Sequence, residues 1–148
     1  MTFDERTENN LSTLHPKAAA LARLFMEKAA AALPAGVVAK IISGTRSYKE
    51  QDALYAKGRT LPGPKVTNAR GGYSNHNFGV AFDIGLFRNG AYLEESPLYA
   101  KLGPIGEAVG LEWGGRWTSI QDEPHYQAKT GLTLAQMRER VASGKSVL

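Results

Sequence analysis

The chain has 148 residues, of which 43% are hydrophobic and 22% are charged. This size and composition predict one globular domain, residues 1–148, with its own hydrophobic core. Because there are no cysteines, a disulfide framework and a thiolate metal site are both excluded. The net charge of +4 suits an anionic partner, but the basic residues are scattered rather than grouped with aromatic ones, so we expect no nucleic-acid binding.

The first residues contain no apolar segment of the kind found in signal peptides, and no apolar run approaches the length of a membrane-spanning helix. We therefore expect synthesis in the cytoplasm without a signal peptide. If the protein acts outside the membrane, another factor must release it.

The sequence of the first half of the chain predicts two helices separated by a strand. Residues 1–15 are polar and are predicted to be irregular. Apolar residues at helical spacing predict a helix from residue 16 to about residue 33. A β-branched run at residues 37–42 predicts a buried strand. Ser47 is a suitable N-cap for a second helix, from residue 48 to about residue 57.

Arg46 and the loop after the second helix are candidates for function. Arg46 projects from the small-residue turn that follows the predicted strand, where an anion-binding or transition-state-stabilising group would fit, although most arginines in such turns are merely exposed. Residues 58–73 are rich in glycine and proline and lack periodicity. They predict a long ordered loop that forms one wall of a cleft.

The segment from Ser74 to Asp83 carries a histidine and an aspartate seven residues apart, His76 and Asp83. On an unbroken strand these two side chains would point to opposite faces, so they converge only if the chain bends. Gly79 is the position where a bend costs least. Alternating apolar and small residues then predict a strand at residues 80–87, with Asp83 on its small-residue face.

The following segment predicts a hairpin and a third helix. The Asn-Gly pair at residues 89–90 predicts a turn into a short return strand at residues 92–93. A helix is predicted from residue 96 to about residue 109. Of the two tryptophans that follow, Trp113 is expected in the core, while Trp117 is left as either a core residue or part of a cleft wall.

The last predicted helix begins after Thr133 and ends near residue 143. Arg138 and Arg140 are predicted to lie on its exposed face. A basic helix of this kind could contact anionic lipid, but packing against the domain is the more frequent arrangement.

Asp122, Glu123 and His125 form a second group of candidate site residues. The proline after Glu123 favours extended geometry there, so His125 is predicted to begin a short strand. Two imidazoles and a carboxylate suit a catalytic zinc ion, which typically keeps three protein ligands and one open position. We predict that His76, Asp83 and His125 hold a metal ion and that one of the two acids is a general base. The alternative is a loop histidine and a strand-end aspartate without a metal.

Together, these motifs resemble the zinc peptidases of the D-alanyl-D-alanine carboxypeptidase and dipeptidase group. The pattern Ser-x-His-x-x-Gly-x-Ala-x-Asp lies at residues 74–83 and Asp-x-Pro-His at residues 122–125. Further motifs, Ser-Gly-Thr-Arg-Ser, Val-Thr-Asn-Ala, His-Asn-Phe-Gly and Trp-Gly-Gly, are similar to the L-alanyl-D-glutamate endopeptidase branch, the catalytic domains of bacteriophage and prophage endolysins. The resemblance runs from about residue 14 to residue 127.

The resemblance implies an α+β fold in which helices flank a small antiparallel sheet, as in hedgehog and D,D-peptidase-like zinc peptidases. It implies one zinc ion per chain, bound by His76, Asp83 and His125. It also implies a single catalytic domain without a separate wall-binding domain.

The resemblance assigns roles around the metal. It makes Asp122, rather than Glu123, the catalytic base. It makes Arg46 a substrate-binding group that steadies the scissile carbonyl or its oxyanion, and Ser74 a second substrate-binding residue. Relatives often carry an acidic residue where this chain has Arg116. This difference concerns substrate preference at the edge of the cleft and not the metal site.

The implied activity is hydrolysis of the L-Ala–D-Glu bond of the peptidoglycan stem peptide by a monomeric enzyme. We expect at most weak electrostatic contact with the anionic envelope, and access to the cell wall through a holin. Two alternatives are a D-alanyl-D-alanine carboxypeptidase or dipeptidase with the same zinc site, and a non-catalytic zinc-stabilised module that binds the cell wall.

Overall fold

The computed structural model describes residues 2–148, which form five helices and a five-stranded sheet. The strands are β1 (Val37–Ser43), β2 (Ala81–Arg88), β3 (Ala91–Leu93), β4 (Leu111–Trp113) and β5 (His125–Ala128). The helices are α1 (Glu5–Ser12), α2 (Pro16–Ala32), α3 (Tyr48–Ala56), α4 (Pro97–Ala108) and α5 (Leu134–Ala142), with short 3-10 turns at Asn75–Asn77 and Gly114–Arg116. The predicted α+β class is confirmed.

Strand β2 is the centre of an antiparallel sheet. β1 pairs with one edge of β2, β5 and β3 pair with the first and second halves of its other edge, and β4 extends the sheet beyond β5. Phe82, Ile84 and Leu86 have no exposed surface, as the alternating pattern predicted. The hairpin from β2 to β3 turns at Asn89 and Gly90, which both have positive φ angles, as an Asn-Gly turn requires.

Helices α2 and α4 cover one face of the sheet. The Phe25 ring of α2 lies 4.4 Å from the ring of Tyr126 and 6.2 Å from that of Phe82. Helix α4 can lie close to the sheet because it has glycine at the two positions that contact aromatic rings. A Cβ on Gly103 would lie 2.4 Å from the Trp113 ring, and one on Gly106 would lie 2.5 Å from the Tyr126 ring. Trp113 is buried, as predicted.

Replacing Gly103 with alanine is expected to lower the free energy of unfolding by about 1–2 kcal/mol. The Trp113 indole cannot easily retreat because its Nε1–H donates to the Glu123 carbonyl at 2.8 Å. The clash therefore outweighs the roughly 1 kcal/mol that alanine gains over glycine within a helix. Urea unfolding would measure the change. Ala100→Ser on the exposed side of the same helix is the control, and equal stability of both variants would contradict the packing argument.

The prediction that residues 1–15 are irregular is wrong, because residues 5–12 form α1. Asp4 caps this helix by accepting the Thr7 backbone N–H at 3.0 Å. Thr7 and Leu11 are buried, and the Thr7 hydroxyl accepts the Ile41 backbone N–H at 3.1 Å. The buried face of this helix contains a threonine and a leucine instead of a continuous apolar stripe. The polar composition of the segment therefore did not indicate a buried helix.

The prediction for α5 is right in its bounds and wrong for one arginine. Met137 is buried, so the helix packs on the domain, and Arg140 is exposed as predicted. Arg138 is half-buried, because its Nη1 donates to the Gly72 carbonyl at 3.1 Å. None of the helices within residues 2–148 combines the length and apolar character needed to cross a membrane.

Candidate metal centre

Asp83 and His125 meet because they are direct cross-strand partners. In the antiparallel ladder Asp83 of β2 lies opposite His125 of β5. Opposed residues place their side chains on the same face of a sheet, with Cβ atoms about 5 Å apart. As a result, His125 Nδ1 lies 3.1 Å from Asp83 Oδ1.

His76 reaches the same point from a 3-10 turn rather than from the strand. Ser74 caps this turn by accepting the His76 backbone N–H at 3.2 Å. Between the turn and β2, Gly79 has a φ of +74°, the left-handed bend that the seven-residue spacing required. His76 Nε2 consequently lies 3.2 Å from Asp83 Oδ2.

The donor geometry of the three side chains fits a metal ion. One ligand atom from each of His76, Asp83 and His125 lies within 4.8 Å of the other two. The far nitrogen of each imidazole is already engaged: His76 Nδ1 bonds the Gly44 carbonyl at 2.9 Å and His125 Nε2 bonds Gln127 Oε1 at 2.8 Å. These bonds direct His76 Nε2 and His125 Nδ1 toward Asp83, and outer hydrogen bonds of this kind are typical of histidines that bind metals.

The electrostatics keep the Asp83 carboxylate anionic. Burial raises the pKa of Asp83, but hydrogen bonds from His125 and His76 and the charges of both imidazoles outweigh burial and hold this pKa well below its usual range. Burial lowers the pKa of His125, while the hydrogen bond and charge of Asp83 raise it by more. The two groups therefore attract a proton or a metal ion to the space between them.

Asp122 faces this cluster and Glu123 does not. Asp122 is half-buried in the same cleft, held by its backbone N–H, which donates to the Gly114 carbonyl at 3.0 Å. Burial raises the pKa of Asp122, and the charge of Asp83 raises it further, against smaller opposing effects of the two imidazoles. Glu123 lines a separate depression, beside Glu94. The sequence left the choice between the two acids open, and only Asp122 is placed near the candidate ligands.

Arg46 lines the cleft and is held in place by its backbone. Its backbone is fixed, since the Arg46 N–H donates to the His76 carbonyl at 2.8 Å and Asn77 Nδ2 donates to the Arg46 carbonyl at 3.0 Å. Burial lowers the pKa of Arg46, although the charges of Asp83 and Glu50 partly offset this effect. Its Nε is buried without a hydrogen-bond partner among the described residues.

These side chains surround a cleft of about 350 Å³. The loop at residues 58–73 forms one wall, as predicted. The full lining consists of Arg46, Val66, Thr67, Ala69, Tyr73, Ser74, Asn75, His76, Asp83, Trp117, Asp122 and His125. Trp117 therefore belongs to the cleft, with its ring 4.8 Å from that of His125. Arg116 is absent from the lining and pairs with Glu107 at 2.9 Å.

The cleft loop has a fixed shape because side chains of α3 and of the loop itself form hydrogen bonds with its backbone. Gln51 is fully buried and donates to the Ala69 carbonyl at 2.8 Å. Arg59 donates to the Thr67 carbonyl at 3.1 Å, and Asp52 accepts the Gly71 N–H at 2.7 Å. Side-chain bonds thus replace the missing secondary structure.

Gln127 contacts the candidate site through His125, and no sequence motif pointed to it. Besides bonding His125, it donates through Nε2 to Glu112 Oε2 at 3.1 Å, which turns its Oε1 toward the imidazole. A signal was available, because a residue two positions from His125 on a strand shares its face.

Comparisons with known proteins find relatives of this chain. The family model described as D-alanyl-D-alanine carboxypeptidase matches residues 67–128. The peptidoglycan L-alanyl-D-glutamate endopeptidase CwlK of Bacillus subtilis (strain 168) is 39% identical over 108 residues, which cover 66% of this chain and 65% of CwlK. The chain therefore spans slightly less than two thirds of that relative's length.

Solved structures show the same fold. The L-Ala D-Glu endopeptidase ChiX of Serratia marcescens matches with a TM-score of 0.65 and 24% identity, covering 88% of this chain and 92% of ChiX. A vancomycin resistance D,D-pentapeptidase VanY in complex with Zn(II) matches with a TM-score of 0.56 and 18% identity, covering 90% of this chain and 81% of VanY. The resemblance first seen in the motifs is confirmed: the D-alanyl-D-alanine carboxypeptidase model matches residues 67–128, and this segment contains every candidate site residue except Arg46.

Proposed function

We propose that the protein is a zinc-dependent peptidoglycan hydrolase that cleaves the L-Ala–D-Glu bond of the stem peptide. The observation that carries the proposal is the convergence of His76, Asp83 and His125 in a cleft that also holds Asp122 and Arg46. The choice of bond is supported by the similarity to CwlK and ChiX, which both bear the name of this endopeptidase activity.

One zinc ion would be held by His76 Nε2, a carboxylate oxygen of Asp83 and His125 Nδ1. When bound, it would polarise the scissile carbonyl and lower the pKa of the attacking water. Asp122 takes the proton of that water and passes it to the leaving amine. No covalent acyl-enzyme is required.

Arg46 and Ser74 bind the substrate in this proposal. Arg46 lines the cleft, and its positive charge can stabilise the negative charge that develops on the carbonyl oxygen. Ser74 lines the cleft two residues before His76. Both residues act by hydrogen bonding and not by proton transfer.

We further propose that the protein works as a monomer and, as an endolysin, reaches the cell wall after release through a holin. The protein's positive net charge of +4 would favour weak contact with an anionic envelope. Expression with and without a holin tests the route, because lysis should need both proteins.

Mass spectrometry of muropeptides tests the reaction itself. Purified sacculi are incubated with the zinc-loaded protein, with and without a chelator. We expect free stem peptides that begin at D-glutamate, absent after chelation and restored by zinc. Zinc-loaded protein that releases no products would favour the non-catalytic wall-binding module.

A D-alanyl-D-alanine carboxypeptidase is the second candidate, because the matching family model carries that description. The same experiment separates the two candidates. A carboxypeptidase would release only the terminal D-alanine and leave the L-Ala–D-Glu bond intact.

Gln127→Ala is expected to weaken zinc binding about 10–100-fold, the usual effect of losing a partner that orients a metal ligand. Without Gln127 Oε1, the His125 ring loses the bond that directs Nδ1 toward Asp83. Competition with a chromogenic chelator would measure the zinc affinity. Gln121→Ala is the matched control, since Gln121 is exposed and donates only to the Gly115 carbonyl. Unchanged affinity in Gln127→Ala would exclude this orienting role.

A further inference from the structure

Tyr73 lines the cleft, and two arginines that lie outside the lining, Arg70 and Arg138, flank its ring. The Tyr73 ring lines the cleft and is 42% exposed. The guanidinium of Arg70 lies 4.6 Å from the centre of this ring, and that of Arg138 lies 4.0 Å from it. We refer to Arg70, Tyr73 and Arg138 as the Tyr73 wall.

The Tyr73 wall is preformed by long-range contacts. Arg138 belongs to α5 and donates to the carbonyl of Gly72, 66 residues earlier in the chain. The Tyr73 backbone N–H donates to the Arg70 carbonyl at 3.0 Å, which closes a turn that brings both side chains to one place. Binding of a ligand here would therefore need little reorganisation.

The charges of this wall are not balanced by carboxylates. Within residues 2–148, Arg23 and Arg116 form ion pairs with glutamates, but no carboxylate oxygen lies within 4.0 Å of the guanidinium nitrogens of Arg46, Arg70 or Arg138. The charge of Asp52 acts on Arg70 from a greater distance, and Asp52 Oδ1 accepts the Gly71 N–H.

The phenol of Tyr73 reports the local potential. A hydrogen bond from Arg70, together with the charges of Arg138 and Arg70, lowers the pKa of Tyr73. An oxygen atom at this position of the cleft therefore carries negative charge more readily than it would in water. A carboxylate placed beside the wall would gain from the same field.

The rest of the site explains why such a field is useful. A zinc dication would be offset by the charges of Asp83 and Asp122, which leaves Arg46, assigned above to the carbonyl oxygen, as the remaining cation of the cleft lining. Glutamate has two carboxyl groups, and only one of them is needed to continue a peptide. The other carboxyl group is ionised, unless it is amidated, and lies only a few bonds from the bond that would be cut.

We infer that the Tyr73 wall binds the free carboxylate of the D-glutamate residue and makes the enzyme prefer substrates in which this group is not amidated. The inference rests on the proposed endopeptidase function and deepens it. Arg70, Tyr73 and Arg138 are specificity-determining residues in this view. They take no part in the chemical step.

Two synthetic stem peptides test the inference. One has a free carboxylate on D-glutamate, and the other has a carboxamide at the same place. The zinc-loaded wild-type protein should cleave the carboxylate peptide with a kcat/KM about five- to tenfold higher, mostly through KM, as expected for a partly exposed charge contact. Equal kcat/KM values for the two peptides would overturn the inference.

Variants of the wall separate charge recognition from loop structure. Arg70→Gln and Arg138→Gln should each reduce the ratio of the two kcat/KM values toward one, whereas Arg138→Lys should retain part of it. If these arginines only supported the loop, cleavage of both peptides would fall together and the ratio would not change. Arg140→Gln, on the exposed side of the same helix, should leave the ratio as in the wild type.

A binding measurement tests the inference even if neither peptide is cleaved. In that case the endopeptidase proposal fails, and isothermal titration of the two peptides into zinc-loaded protein decides the inference. Tighter binding of the carboxylate peptide, lost in Arg70→Gln and Arg138→Gln, would support the wall as a carboxylate site. Equal affinities would refute it.

Discussion

Asp122→Asn is expected to lower kcat about 10²–10⁴-fold while zinc remains bound, because the asparagine amide cannot accept the proton of the attacking water. Asparagine has nearly the same shape, and the main-chain bonds of residue 122 to Gly114 and His125 do not involve the side chain. The fold and the candidate ligands should therefore be preserved. Zinc content by atomic absorption and kcat on the stem peptide would be measured on the same sample.

Glu123→Gln is the matched control for this prediction. It removes a neighbouring carboxylate that lines a different depression and should change kcat by less than about twofold. If Glu123→Gln lost most activity and Asp122→Asn did not, the assignment of the base would be reversed. If Asp122→Asn lost zinc together with activity, Asp122 would have to be counted among the ligands.

The features that the sequence predicted correctly are those fixed by local chemistry. Ser47 and Thr133 cap their helices in capping boxes because the side chain and the backbone amides that it bonds lie within three residues of each other. The bend at Gly79 followed from the geometry of seven residues. These interactions are encoded over short stretches, so spacing alone reveals them.

The features that the sequence concealed depend on partners distant in the chain. Burial of Thr7 is compensated by the Ile41 backbone, and Arg138 is ordered by Gly72. Gln127 shares the face of His125, but the direction of its amide depends on Glu112 from a neighbouring strand. None of these contacts leaves a periodic trace, because each joins one polar side chain to one tertiary partner.

The candidate site shows both kinds of encoding. The donor types and the bend were visible in the sequence, whereas the convergence needed the pairing of β2 with β5, which places His125 opposite Asp83. The placement of Asp122 and Glu123 in different depressions is likewise a property of the tertiary structure. Sequence motifs can name candidate ligands, but strand register decides which side chains meet.

His76→Ala is expected to lower zinc affinity more than 100-fold, beyond the roughly 10–100-fold expected for loss of an orienting residue such as Gln127. The substitution removes one of three candidate ligand atoms and leaves Asp83 Oδ2 without its imidazole partner. Activity on the stem peptide should fall to background. Chelator competition would measure the affinity, and urea unfolding with and without zinc would measure the linked stability.

The stability measurement gives a test that does not depend on turnover. A ligand that binds only the folded state at 100 times its Kd raises the free energy of unfolding by about 2.7 kcal/mol. Wild-type protein and His15→Ala should both show this increase, because His15, the remaining histidine of the chain, caps α2 and is not part of the cluster. His76→Ala should show none at the same zinc concentration. Equal stabilisation of His76→Ala and His15→Ala would remove His76 from the ligand set and leave the site with too few protein ligands for a catalytic zinc.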